Sequence, residues 1–191
     1  MSMLRYEKIL AERKDIEQLY LESFPEEERY SFWAIIQRAQ SENIDFFAVY
    51  NDSQLIGFTY LIYRQDITYV FYLAVAPSLR NHGYGSQILK GIIEQNQNNK
   101  ILLCIEYPDD ELKIRRRNFY LRNGMHSTGV ILENFGLKYE FLCSQPGYQP
   151  SAETISEIYK TLADNSEAGL EIRKNLETEN IRLGYQKRMT L

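Results

Sequence analysis

The strongest chemical signal in the sequence is the run Arg80-Asn81-His82-Gly83-Tyr84-Gly85-Ser86. It follows an apolar stretch, Leu73-Ala74-Val75-Ala76-Pro77, and precedes Ile88, Leu89, Ile92 and Ile93, whose spacing predicts a helix from about 83 to 97. A strand therefore gives way to a helix across a glycine-rich turn. The first turn of a helix leaves N–H groups without intrahelical acceptors, and the helix dipole adds partial positive charge there. Glycines let the backbone approach an anion closely, so the turn is expected to cradle a diphosphate mainly through its main chain. Two familiar phosphate motifs do not fit. The dinucleotide fingerprint needs a third glycine where Ile88 stands, and a P-loop needs Gly-Lys-Ser/Thr where the chain reads Gly85-Ser86-Gln87.

Downstream, Asn118-Phe119-Tyr120-Leu121-Arg122-Asn123-Gly124-Met125 closes a second helix. Leu-x-Val-x-Pro, Arg-x-x-Gly-x-Gly and this helix end, in that order, resemble the signature of the GNAT superfamily of acyl-CoA-dependent N-acyltransferases. The likeness spans about residues 70–145, with Met125 in place of the usual aromatic residue. It implies that N–H groups from Arg80 through Ser86 bind the pyrophosphate of acetyl-CoA, and that Leu73, Ala74 and Val75 pair with the pantetheine arm as a further strand. It also implies that Tyr120 contacts the cofactor and, as a phenol, protonates the departing thiolate. One position departs from the pattern: many members carry Asn seven residues before the motif tyrosine, where this chain has Lys113. Lys113, Arg116 and Arg117 share a helix face. Arg116 is assigned to the CoA phosphates; a solvated basic face is the other reading.

Acyl transfer to an amine needs a deprotonated amine, since an ammonium titrates near pH ~10. It also needs donors for the charge that develops on the thioester oxygen, which N–H groups at a strand bulge near Leu73–Val75 could supply. Glu106 is the first candidate base. It ends the apolar run Ile101-Leu102-Leu103-Cys104-Ile105, where partial burial would raise its pKa. Tyr72, the acidic run Glu26-Glu27-Glu28 and a water chain are alternatives, although the acidic run also reads as the first turn of a helix. His82 and His126 show no zinc spacing with each other or with the cysteines, and no nucleophile–histidine constellation stands out, so direct attack without metal is expected.

These groups need a scaffold. Periodicity predicts a short strand at 3–9, helices at 12–24 and 26–42, and a three-strand meander at 44–50, 55–63 and 67–75. After the glycine-loop helix come a strand at 101–106, a helix ending near Arg122, and strands near 126–132 and 137–143. The fold class is α+β: a mixed, mostly antiparallel central sheet flanked by helices. Residues 1–150 form the acetyltransferase-like domain, and 151–191 a C-terminal helical extension with Ser151 as N-cap and Ile155, Ile158, Tyr159 and Leu162 on one stripe.

A formal net charge of −4 lacks the basic footprint of a nucleic-acid binder and suits a cationic acceptor, a small-molecule or peptide amine. Cys104 and Cys143 both fall in apolar runs, which reads as reduced core thiols. With no membrane span or signal-peptide pattern, the cytoplasm is the expected compartment. The stripe at 155–162 could cover its own domain or a second copy of the chain, giving a homodimer. The function implied is transfer of acetyl from acetyl-CoA to a primary amine. The alternatives are an inactive acyl-CoA-binding or sensing domain, and an interaction protein docking through 151–191.

Overall fold

Apolar runs broken by short polar turns fold the first half of the chain into a meander. The computed structural model describes residues 4–134, 137–178 and 182–185. Strand β1 (Arg5–Lys8) pairs with β2 (Ile44–Asn51), β2 with β3 (Gln54–Arg64), and β3 with β4 (Ile67–Val75), all antiparallel. Asp52 and Gln65 close the two turns with φ of 53° and 52°. Helix α1 (Lys14–Ser23) and helix α2 (Phe32–Arg38) lie between β1 and β2 in sequence. Helix α3 (Tyr84–Gln95) is the crossover to β5 (Lys100–Glu106), which runs parallel to β4. Then follow α4 (Glu111–Arg122), β6 (His126–Asn134), β7 (Leu137–Cys143), α5 (Ala152–Leu162), α6 (Glu167–Thr178) and β8 (Arg182–Tyr185).

The sheet order is β1-β2-β3-β4-β5-β7-β6-β8, mixed and mostly antiparallel as expected. Each face carries its own core. Tyr20, Ile35, Phe46, Phe58, Tyr60 and Ile158 belong to the cluster under α1, α2 and α5, whereas Ile88, Leu89 and Ile92 of α3 pack with Val70, Leu103, Ile105 and Met125 on the other face. Between β3 and β4 the register steps from Tyr60↔Tyr72 to Leu61↔Val70, which leaves Phe71 as an extra residue. Alternation breaks there: Phe71 and Tyr72 both pack with the first cluster, while Val70 and Leu73 pack with the second. The bulge expected near Leu73–Val75 thus lies earlier in the strand, at Phe71.

One predicted helix is divided. Instead of a continuous helix over 26–42, Glu26–Glu28 forms a single 3-10 turn, Arg29 is extended (φ −102°, ψ 137°), and α2 starts after Ser31, whose hydroxyl accepts from the Ala34 N–H. The interruption is held from outside. The buried Tyr20 hydroxyl donates to the Tyr30 carbonyl at 3.0 Å and accepts from the Tyr30 N–H at 2.8 Å, and the Tyr72 hydroxyl donates to the Glu28 carbonyl at 2.8 Å. Side chains thus satisfy main-chain groups that a helix would have paired internally.

Ser151 caps α5 as expected, its hydroxyl accepting from the Thr154 N–H at 3.0 Å. Beyond Asn165, where periodicity fades, the chain forms α6 and then β8, which pairs with β6, so the expected helical extension also carries a strand. Ile155, Leu162, Ala168 and Ile172 are buried in the same cluster as Phe46. Buried Arg38 of α2 donates to the Thr161 and Leu162 carbonyls at the end of α5 and pairs with Asp164 at 2.7 Å. Among the described residues, no helix is long and apolar enough to cross a membrane.

Candidate active site

Strands β4 and β5 stay paired only from Ile67↔Lys100 to Val70↔Leu103. Past the Phe71 bulge they splay, and Phe71–Val75 faces Cys104–Glu106 across a cleft of about 870 Å³. Parting strands leave unpaired backbone groups along β4, an edge suited to an extended ligand. Residues from both cores line this cleft, so it opens through the sheet from one face to the other.

On the α3 and α4 face stands the glycine turn. Gly83, at φ 82°, is the N-cap of α3, and the first helical bond runs from the Gln87 N–H to its carbonyl. Among the described residues, the N–H groups of Asn81 through Ser86 have no protein acceptor. The turn therefore fits a phosphate ligand. Its two glycines serve different ends. Gly83 supplies the left-handed conformation that starts the helix, whereas a Cβ on Gly85 would lie 3.2 Å from the Phe119 ring. The close approach at Gly85 is thus to α4. The Arg80 N–H is already used, donating to Pro77 at 3.4 Å, so the cradle starts at Asn81; the Arg80 Nε donates to the Val75 carbonyl at 3.2 Å.

Leu73, Ala74, Val75, Arg80, Asn81, Gly83, Gly85, Ser86, Glu106, Arg116 and Tyr120 all line the one cleft. His82 and Tyr84 are not among the lining residues. The His82 ring lies 2.8 Å from the Arg80 carbonyl, and the Tyr84 hydroxyl accepts from Asn51 at 3.4 Å. Tyr120 packs edge-on against Phe119 with ring centroids 5.0 Å apart, and burial raises its pKa against the opposing pull of Arg116. A phenol so placed stays protonated at neutral pH, the state a general acid requires.

The basic face of α4 is spent on the protein itself. Arg116 donates to Glu106 at 2.5 Å, Lys113 pairs with Asp109 at 2.7 Å and approaches Glu106 at 3.8 Å, and Arg117 grips Glu140 with two bonds of 2.7 and 3.2 Å. Glu106, the carboxylate expected to act as base, is therefore tied to cations. Burial and then neighbouring Tyr20 push the Tyr72 hydroxyl well above the ordinary phenol value, which favours its protonated form and suits it poorly to the base role. The Cys104 thiol lines the same cleft and is pushed up by burial and by Glu28 and Glu140, which keeps it from acting as a thiolate.

In the sequence, Glu28 stands only as one member of the acidic run Glu26-Glu27-Glu28, an alternative base that also reads as a helix start. It lines the cleft from the other face, with its carbonyl pinned by Tyr72 and the Tyr139 hydroxyl 3.5 Å from its carboxylate. Burial, then repulsion from Glu106, raises its pKa above the ordinary carboxylate value, against Arg116 and Tyr139. Among the described residues it has no ion-pair partner. The available signal was an acidic run after Pro25, indistinguishable in sequence from the acid-rich first turn of a helix.

Comparison with known proteins bears on this geometry. The chain matches the family model described as acetyltransferase (GNAT) family over residues 13–125, more than half its length. Among solved structures, it resembles a GNAT-family protein from Bacteroides thetaiotaomicron at 28% identity and TM-score 0.64, covering 80% of this chain and 92% of that one. A GNAT acetyltransferase from Elizabethkingia anophelis with acetyl-CoA bound is 17% identical, with a TM-score of 0.58 over 76% of this chain and 99% of that one. The ribosomal-protein-S18-alanine N-acetyltransferase of Escherichia coli is 15% identical, with a TM-score of 0.57 over 74% and 92%. No curated protein matches the chain. Because the family match runs unbroken through the meander, the splay, the N–H cradle and the Tyr120 helix, the chain belongs to the GNAT acetyltransferase family.

Proposed function

We propose that the protein is an N-acetyltransferase that takes acetyl from acetyl-CoA and passes it directly to a primary amine, with Glu28 as base and Tyr120 as acid. The observation that carries this reading is the cleft through the sheet. Among the described residues, it has N–H groups without a protein acceptor on one face and a carboxylate without an ion-pair partner on the other, so two ligands can meet at the splay.

When bound, acetyl-CoA supplies an acyl group activated as a thioester. The N–H groups of Asn81 through Ser86 hold its pyrophosphate, and the open edge of Leu73, Ala74 and Val75 aligns its pantetheine arm. The bulge at Phe71 frees backbone donors beside the acyl position, where charge builds on the oxygen. Glu28 takes one proton from the acceptor ammonium, leaving a neutral amine. As the new N–C bond forms and the C–S bond breaks, Tyr120 gives its proton to the sulfur and regains one from the acylated nitrogen. The sum is amide, free thiol and one proton released to solvent. Glu106 braces β5 to α4 through Arg116, a positioning role.

Calorimetry with CoA and thiol release with a panel of amines test this together. Heat on binding and thiol release dependent on an amine are expected. Binding without release from any amine would mark a CoA-binding domain that lacks catalysis, and absence of heat at millimolar CoA would remove both readings.

A further inference from the structure

We infer that the acceptor is a small molecule with a single ammonium carried on an aromatic or bulky apolar body, and that Tyr159 of α5 helps select it. The inference rests on the acyltransfer reading above and concerns the half of the cleft opposite the cradle. That half is walled by rings. Tyr30 and Phe71 stack with centroids 6.0 Å apart and planes 27° apart, Phe24 lies 4.6 Å from Tyr72, and Tyr159 meets Phe71 edge-on at 6.4 Å. The bulge matters here, because it turns Phe71 and Tyr72 to the same face. Leu137 of β7, also lining the cleft, is 41% exposed and adds apolar surface at its rim.

Charge limits the acceptor further. Glu27, Glu28 and Glu106 line the cleft, but Glu106 is compensated by Arg116 and Lys113, and Glu27 is exposed to solvent. Glu28 is left as the single half-buried anion. One ammonium satisfies it, and the flanking rings add cation–π attraction. A second ammonium, as on a polyamine, would meet rings but, among the described lining residues, no second half-buried uncompensated carboxylate to offset the water it loses. Length is limited too, because Tyr159 packs across the far side against both Tyr69 and Phe71. Tyr139 and Tyr159 both lie beyond residue 125, where the family match ends, so this wall is supplied by the chain's own β7 and α5.

The test measures kcat/KM by thiol release with acetyl-CoA and four acceptors: 2-phenylethylamine, n-butylamine, 1,4-diaminobutane and spermidine. Phenylethylamine is expected to exceed n-butylamine by about 10-fold or more, the scale of an added apolar group in a fitted pocket, and to exceed both polyamines. Tyr159→Ala should lower phenylethylamine turnover far more than n-butylamine turnover, erasing most of that preference while CoA heat persists, and Tyr159→Phe should restore it. Faster turnover of either polyamine, or an equal loss on both monoamines in Tyr159→Ala, overturns the acceptor assignment and leaves the transferase reading standing. The wild-type ranking decides the question even where Tyr159→Ala fails to fold. Normal CoA binding without turnover of any of the four amines overturns this acceptor assignment alone, and the transferase reading falls only if the wider panel, peptide amines included, also releases no thiol.

Discussion

Glu28 and Tyr120 line the splay from opposite faces, both with pKa values pushed upward by burial, and the proposed mechanism divides the two proton transfers between them. Glu28 accepts a proton only when ionised, so activity should fall as the pH drops through its pKa, which lies above the usual carboxylate range. Glu28→Gln should lower kcat/KM by roughly 10²-fold or more and remove that acidic limb from the pH–rate profile. Glu106→Gln, which merely releases Arg116, should keep the limb; losing it there instead would return the base role to Glu106. Tyr120→Phe should lower kcat by roughly 10²-fold with CoA affinity unchanged, and unaltered kcat in a folded variant would take the hydroxyl out of the mechanism. That Tyr120 lies at the cleft was legible in the sequence, because a motif marks it. That Glu28, alone of its acidic run, is half-buried there was not, because Tyr20, Tyr30 and Tyr72 hold that segment through contacts that span up to 44 residues.

At the scale of elements, strands and helices whose own patterns settle them matched expectation closely. Ile67–Val75 and Lys100–Glu106 are long β-rich runs buried on both faces, and α3 carries a clean apolar stripe. The break between Glu28 and Ser31 and the bulge at Phe71 left no such pattern, since both arise from pairing with distant partners. The break carries most weight for the proposed mechanism, because it holds Glu28 at the cleft. Tyr20→Phe would leave both the Tyr30 N–H and its carbonyl without the buried hydroxyl. A cost of about 1–3 kcal/mol is expected, read as a lower urea midpoint at constant m. The same variant should lose activity beyond what reduced folding explains; full activity per folded molecule would mean that Glu28 needs no such support.

For the whole molecule, the question is whether residues 151–191 can be detached. The family match ends at residue 125, yet Ile155, Ile158, Leu162 and Ile172 sit in the same core as Phe46 and Tyr60, and Arg38 anchors the end of α5. Burying four such side chains contributes about 1.5–3 kcal/mol each, together on the scale of a domain's entire net stability of about 5–15 kcal/mol. Arg38 adds to the dependence: without α5 its guanidinium would remain in α2, where it is 7% exposed, with no carbonyls and no Asp164 to receive it. A chain ending at Pro150 is therefore expected to lose cooperative unfolding and to bind hydrophobic dyes as a loosely packed state. If that shorter chain instead melts in one sharp transition and still gives heat with CoA, the tail is dispensable to the core, and its contribution narrows to the aromatic wall that Tyr159 adds to the acceptor side.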